Sequence, residues 1–247
     1  MSEELYTLYE KSIENNLKYL MKLEKELTHE TNMNSAFSHL LSLSSKNLAN
    51  KWRSGAKYLR TRYAKQAIPN YPDDVLMLLI SVDASVNLLE DILDETLSKE
   101  QKGLYLVELI RVLSMQNSFN LSKKLQKIIS DYFNKIIFIA GSENFLYPQI
   151  LNEKDESKLF ELCTASYSCR SLDMDIFVEL PLTKNKHTKQ EINSALIAAR
   201  SFRVINLAKK DIADLPHDLQ FNTTTPIMVM KQRNLPVKNF IDALYSK

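Results

Sequence analysis

Glycine is nearly missing from this chain: Gly55, Gly103 and Gly141 are the only three in 247 residues. That scarcity argues against glycine-rich phosphate loops and against doubly wound nucleotide folds, which need close backbone approach at a tight turn. Cysteine is as scarce. Cys163 and Cys169 stand alone, so they form neither a disulfide framework nor a zinc set, and a reducing compartment fits. No excess of one charge exists either: 32 Lys and Arg face 30 Asp and Glu, a net charge of +2. Nucleic acid is therefore not the favoured partner. No apolar run approaches the ~20 residues needed to span a bilayer. The opening MSEELYTLYEKSIENNLKYL has no basic leader and no apolar core, so it does not read as a secretory signal. A soluble, cytoplasmic protein is the expectation.

What the chain does have is apolar residues recurring at steps of three and four, which predicts an all-α fold. Amphipathic helices are expected over residues 3–27 and 36–52, with His39 in the second a core or boundary side chain. The segment over 72–95, PDDVLMLLISVDASVNLLEDILDE, predicts one helix of unusual character. It is apolar enough to be buried, yet Asp83, Asn87, Glu90, Asp91 and Asp94 fall at about 0°, 40°, 340°, 80° and 20° on a helical wheel. Buried carboxylates must pair, neutralise or bind a metal. The stripe faces something cationic, and Mg²⁺, which joins carboxylates to phosphates, is the natural candidate. The same pattern also fits a helix end leaving the core, although Asp83 lies deep in the apolar run.

Two further segments carry chemistry. Arg53, Lys57, Arg60, Arg62 and Lys65 make 52–72 the most basic stretch, and Lys57 and Arg60, three apart at a helix start, can both reach one phosphate. Near the other end, Arg200, Arg203, Asn206, Lys210, Asp211 and Asp214 fall within an arc of about 140°. Again a helix expected in the core carries a polar stripe, with Leu207 as an apolar intruder. Residues 144–155, which include Pro148, read as a loop. Residues 155–180 read as one helix with Cys163 a small core hydrophobe, and 182–194 as a polar connection in which His187 is solvated. The last helix begins near Val237.

These three segments, in this order, resemble the trans-isoprenyl diphosphate synthases. Glu90, Asp91 and Asp94 stand where that family has the first aspartate-rich motif, DDxxD. GAKYLR matches its GGKxxR, and Leu207, Lys210, Asp211 and Asp214 occupy positions of its QxxDDxxD, followed by DLQFNTTTP for DLxxGNxTLP. The resemblance covers most of the chain. It implies a single domain over 1–247, a helical bundle around a central cavity, and a Mg²⁺-dependent prenyltransferase that condenses an allylic prenyl diphosphate with isopentenyl diphosphate. In that frame Glu90, Asp91, Asp94, Asp211 and Asp214 hold metal, and Lys57 and Arg60 hold the isopentenyl diphosphate. Lys99 takes the place of an arginine near the substrate, and a homodimer or heteromer is expected.

Several positions depart from the family pattern. Asp83 stands where His or Gln assists the diphosphate, and an added anion repels phosphate unless it is bridged or neutralised. Ser85 replaces a bulky chain-length residue, which leaves room for a long prenyl chain. Cys163, Thr164 and Ala165 stand for a KTA motif, so Thr164 is kept and the lysine lost. Lys210 replaces a metal-binding carboxylate, either as a working cation toward the diphosphate or as the mark of a decayed site. These changes imply two alternatives: transfer to another acceptor or cyclisation, as in the ComQ-like enzymes that prenylate a peptide, or a non-catalytic subunit of a heteromeric synthase.

Overall fold

A computed structural model describes residues 59–93, 98–117, 119–221 and 224–245. These residues are helical, with no strand among them, as the periodicity predicts. No helix among the described residues is long and apolar enough to cross a membrane. The chain divides into two compact units, Met1–Leu121 and Ser122–Lys247. The helices expected over 3–27 and 36–52, together with Lys57 and Asp94, lie outside the described residues.

The first unit contains α1 (Leu59–Ala67), α2 (Asp73–Leu93) and α3 (Lys99–Asn117). Its core is set by α2, where Leu76, Leu78, Leu79, Val82 and Leu88 are buried. Among the described residues of this unit, α2 packs chiefly on α3. Helix α3 starts at a reciprocal cap: the Gln101 N–H donates to Ser98 Oγ at 3.3 Å, and the Ser98 N–H donates to Gln101 Oε1 at 2.9 Å. That exchange satisfies two backbone donors that a helix start leaves open.

The second unit comprises α4 (Lys123–Asn152), α5 (Glu156–Arg170), a 3₁₀ turn (Ser171–Met174), α6 (Asp175–Lys184), α7 (Lys189–Phe221), α8 (Pro226–Gln232) and α9 (Val237–Tyr245). Two sequence expectations are corrected here. The loop expected over 144–155 is helix almost throughout, since α4 runs through Pro148 to Asn152. Proline removes one intrahelical bond, but Ile150 is fully buried, with Leu146 and Tyr147 packed on the same core. Side-chain amides also serve the neighbouring carbonyls, Gln149 donating to Phe145 O at 3.1 Å and Asn152 to Pro148 O at 2.7 Å. The single helix expected over 155–180 is interrupted by the 3₁₀ turn.

With so little glycine, left-handed backbone falls to other residues. Among the described residues Asn70 (φ 52°), Lys186 (φ 61°) and Asn234 (φ 56°) hold these positions, the last two just after helices. After α6 the Lys186 N–H reaches Thr183 O and the His187 N–H reaches Leu182 O; after α8 the Asn234 and Leu235 N–H groups reach Lys231 O and Met230 O. Both are Schellman closures, which usually take glycine. The end of α4 is closed differently, by Arg233, whose guanidinium donates to the carbonyls of Ile150, Leu151 and Glu153. Arg233→Ala should therefore cost about 1.5–3 kcal/mol, as charge-assisted hydrogen bonds do. Urea denaturation measures this, and an unchanged midpoint would remove the cap from the account.

Candidate functional site

In the first unit the α2 stripe divides. Asp83 is 5% exposed and forms an ion pair with Arg60 of α1, both side chains being buried. The cation sought by this carboxylate is thus supplied by the chain. Asn87, one turn on, turns its amide back to Asp83 O at 2.7 Å. Ser85 is fully buried and donates to Ser81 O at 2.9 Å, so its hydroxyl is used within its own helix. Glu90 is exposed. The Asp91 side chain lies outside the described residues, although its backbone belongs to α2. Lys99 opens α3 and is exposed.

The charge of Arg60 decides what it can do. A guanidinium facing a buried carboxylate brings little net positive potential to a phosphate, because the pair is neutral as a unit. For Arg60 to hold a diphosphate, Asp83 must be protonated, displaced or bridged by metal.

In the second unit the α7 stripe is also answered from within. Arg200 makes a bidentate pair with Asp175, Nε to Oδ1 at 2.7 Å and Nη2 to Oδ2 at 2.6 Å. Lys135 of α4 joins the same carboxylate at 2.6 Å. Arg203 grips Asp173 through Nε at 2.9 Å and Nη2 at 2.6 Å. Further along, Asp211 accepts from Tyr167 OH at 2.8 Å and from Arg170 Nη1 at 3.1 Å. Arg170 also meets Glu143 of α4 through Nε at 3.2 Å. Burial alone would lower the Arg170 pKa, but Asp211, Tyr147 and Glu143 more than offset that and hold it above its ordinary value. The Tyr167 hydroxyl is pushed well up by burial and then by Asp211. Both groups keep their protons at any physiological pH.

Arg170, Arg200, Arg203 and Lys135 thus face Asp173, Asp175, Glu179, Asp211 and Glu143. Four cations against five carboxylates leave no positive surplus for a diphosphate. Asp211 does not fit the expected metal role as it stands, because Arg170 and Tyr167 occupy its oxygens, and a metal would first have to displace that guanidinium. Asp214 is half exposed and pairs with the more exposed Lys210 at 3.1 Å, an arrangement worth little in water. Among the described residues no group of three or more His, Cys, Asp or Glu side chains is placed to hold a metal ion.

The sequence reading picks out Arg200, Arg203 and Asp211 but not their partners Asp173, Asp175 and Arg170. A signal exists in SLDMDIFVEL, where two aspartates interrupt an apolar run. The other expected residues are placed as follows. Leu207, the intruder on the stripe, is buried in the core with Cys163 and Tyr167. Burial pushes the Cys163 thiol up to about 12, so it is a core side chain and not a nucleophile at neutral pH. His187 is half-buried beside Glu191, 3.5 Å away. Thr164 lines a cleft of about 300 Å³ with Ser168, Ser171, Arg200, Ser201 and Leu244. Thr225 caps α8, accepting the Met228 N–H and donating to Asp218, which accounts for the Thr and Pro of DLQFNTTTP. No family model, no curated protein and no solved structure matches this chain.

Proposed function

We propose that the chain is a divergent protein of the isoprenoid synthase type that binds an allylic prenyl diphosphate with Mg²⁺ and condenses it with isopentenyl diphosphate. What carries this reading is the divided polar stripe of α2. Its deep carboxylate, Asp83, is neutralised by Arg60, whereas Glu90 is exposed in a sequence where Asp91 and Asp94 complete a metal-binding pattern. Glu90, Asp91 and Asp94 would hold the metal, which when bound neutralises a diphosphate leaving group. Asp211 contributes to the fold of the second unit instead. Lys57 and Lys99, in the same unit, remain as cations for diphosphate oxygens.

A specific observation favours a second reading. Both Arg60 and Asp211, which the first reading needs for substrate and metal, are tied up in ion pairs. A chain so arranged suits transfer to an acceptor other than isopentenyl diphosphate, or a non-catalytic place beside a synthase.

The experiment incubates the protein with Mg²⁺ and geranyl, farnesyl or geranylgeranyl diphosphate, with and without labelled isopentenyl diphosphate, and separates the dephosphorylated products. Longer labelled alcohols are the expected result. Allylic diphosphate consumed or bound without elongation would select the second reading, and no binding at all would remove the enzymatic one. Asp91→Ala with Asp94→Ala should abolish Mg²⁺-dependent binding of the allylic diphosphate while circular dichroism stays unchanged. Binding that survives would sink the metal role.

A further inference from the structure

Where α5, the 3₁₀ turn, α7 and α9 meet, the second unit keeps a cleft of about 300 Å³, at the lower end of what small-molecule sites enclose. Its walls are of two kinds. Leu172, Ile197, Val204 and Leu244 supply apolar surface, while Thr164, Ser168, Ser171, Ser201 and Arg200 supply polar groups. Ile197, Arg200, Ser201 and Val204 fall within about 100° of one another on the helical wheel, so one side of α7 carries all four. Ile197 is 65% exposed, whereas Leu244 of α9 is buried in the core. The apolar lining thus extends from an exposed side chain to one of the core.

Arg200 distinguishes this cleft from an ordinary crevice. Its Nε and Nη2 donate to Asp175 at 2.7 and 2.6 Å, and Asp175 is itself buried. That side-on pair fixes the planar guanidinium. The other edge, Nη1 with the second N–H of Nη2, has no acceptor among the described residues. The hydroxyls of Thr164 and Ser168 likewise have no partner there, whereas Ser171 and Ser201 donate to Ser168 O and Ile197 O and keep only lone pairs for a guest. Directed polar groups held beside apolar walls are what orients a small molecule in a pocket.

Charge decides the class of guest. Asp175 faces both Arg200 and Lys135, and Lys135 reaches Glu179 at 3.8 Å, so two cations balance two carboxylates. Arg200 therefore offers directed N–H donors with little net positive potential. A carboxylate or phosphate would lose its hydration there for little attraction, while an uncharged oxygen loses far less on leaving water. We propose that the cleft is a binding site for a small uncharged molecule with an apolar body and a carbonyl end. The carbonyl oxygen accepts from the free edge of Arg200, and the body lies along Ile197, Val204 and Leu244. The groups proposed above for Mg²⁺ and diphosphate belong to the other unit, so either experiment can fail without touching the other.

Octanamide, octanoate and octylammonium share one apolar body and differ at the head. Titrated into the full chain and followed by amide NMR, octanamide should bind saturably with a Kd of about 1 mM or tighter and shift the amides of Ser168, Ser201 and Leu244. Octanoate should bind roughly tenfold more weakly, and octylammonium, which can only donate, more weakly still. Ser201 is exposed, so Ser201→Phe should fold as wild type by circular dichroism while filling the cleft, and octanamide affinity should fall by roughly tenfold or more. Arg200→Met, with Asp175 still paired to Lys135, should weaken octanamide by a similar factor. Binding that does not saturate, shifts confined to other helices, octanoate as tight as octanamide, or an octanamide Kd unchanged in Ser201→Phe would each overturn the proposal.

Discussion

Asp211→Ala should destabilise the second unit by about 3–5 kcal/mol, the cost of breaking a buried ion pair by removing one partner. Arg170 would be left largely buried without the carboxylate that accepts at 3.1 Å, and Tyr167 would lose the acceptor of its hydroxyl at 2.8 Å. Glu143 stays beside Arg170 at 3.2 Å, which places the expected loss toward the lower end. Arg170→Met combined with Asp211→Leu should recover most of the stability, because apolar replacement of a whole buried pair is often neutral or better. Lys210→Ala, which touches only an exposed pair, should change the unfolding free energy measured in urea by less than about 1 kcal/mol. If Asp211→Ala unfolds no more easily than Lys210→Ala, Asp211 is not a structural carboxylate, and its assignment as a metal ligand regains ground.

A loss of similar size, about 3–5 kcal/mol, is expected in the first unit for Asp83→Ala, since it removes the buried carboxylate facing Arg60. This variant carries a second readout. With Asp83 gone, the Arg60 guanidinium brings an uncompensated charge to α1, and inorganic pyrophosphate should bind more tightly than to wild type, most clearly at low salt. Pyrophosphate affinity that stays the same while stability falls would assign Arg60 to the fold alone. Arg60→Met with Asp83→Leu separates these outcomes further, as it should restore stability without gaining the anion.

Helices α2 and α7 are legible in the sequence because each combines apolar periodicity with a polar stripe that has no business in a core unless it is answered. For Asp83 on one stripe, and for Arg200, Arg203 and Asp211 on the other, the answer comes from side chains of the same chain. That answer is a tertiary fact. Arg60 and Asp83, or Arg203 and Asp173, meet across different helices, and neither spacing nor propensity encodes the meeting. Pro148 misleads for a related reason, since a local breaker signal is overridden by the burial of Ile150. The break at Ser171–Met174 is also physical. Two residues apart on a straight helix, Asp173 and Asp175 would point about 200° away from each other. The 3₁₀ turn redirects the chain so that both reach α7.

The same seam constrains how α7 can slide. Read from one end, Arg200, Arg203 and Asp211 meet Asp175, Asp173 and Arg170 in reverse chain order. A shift of one turn, about 5.4 Å, covers less than half of the ~12 Å that separates Arg203 from Asp211, so Asp211 leaves Arg170 and Tyr167 without reaching another of these cations. A carboxylate and a guanidinium are then left apart in a region with little water to solvate them. Apolar packing alone tolerates such slippage between long helices, because one leucine-rich turn resembles the next. The ionic seam acts as a registration mark: its main effect falls on misaligned states, which it raises in free energy, and it selects the one alignment in which the chain closes.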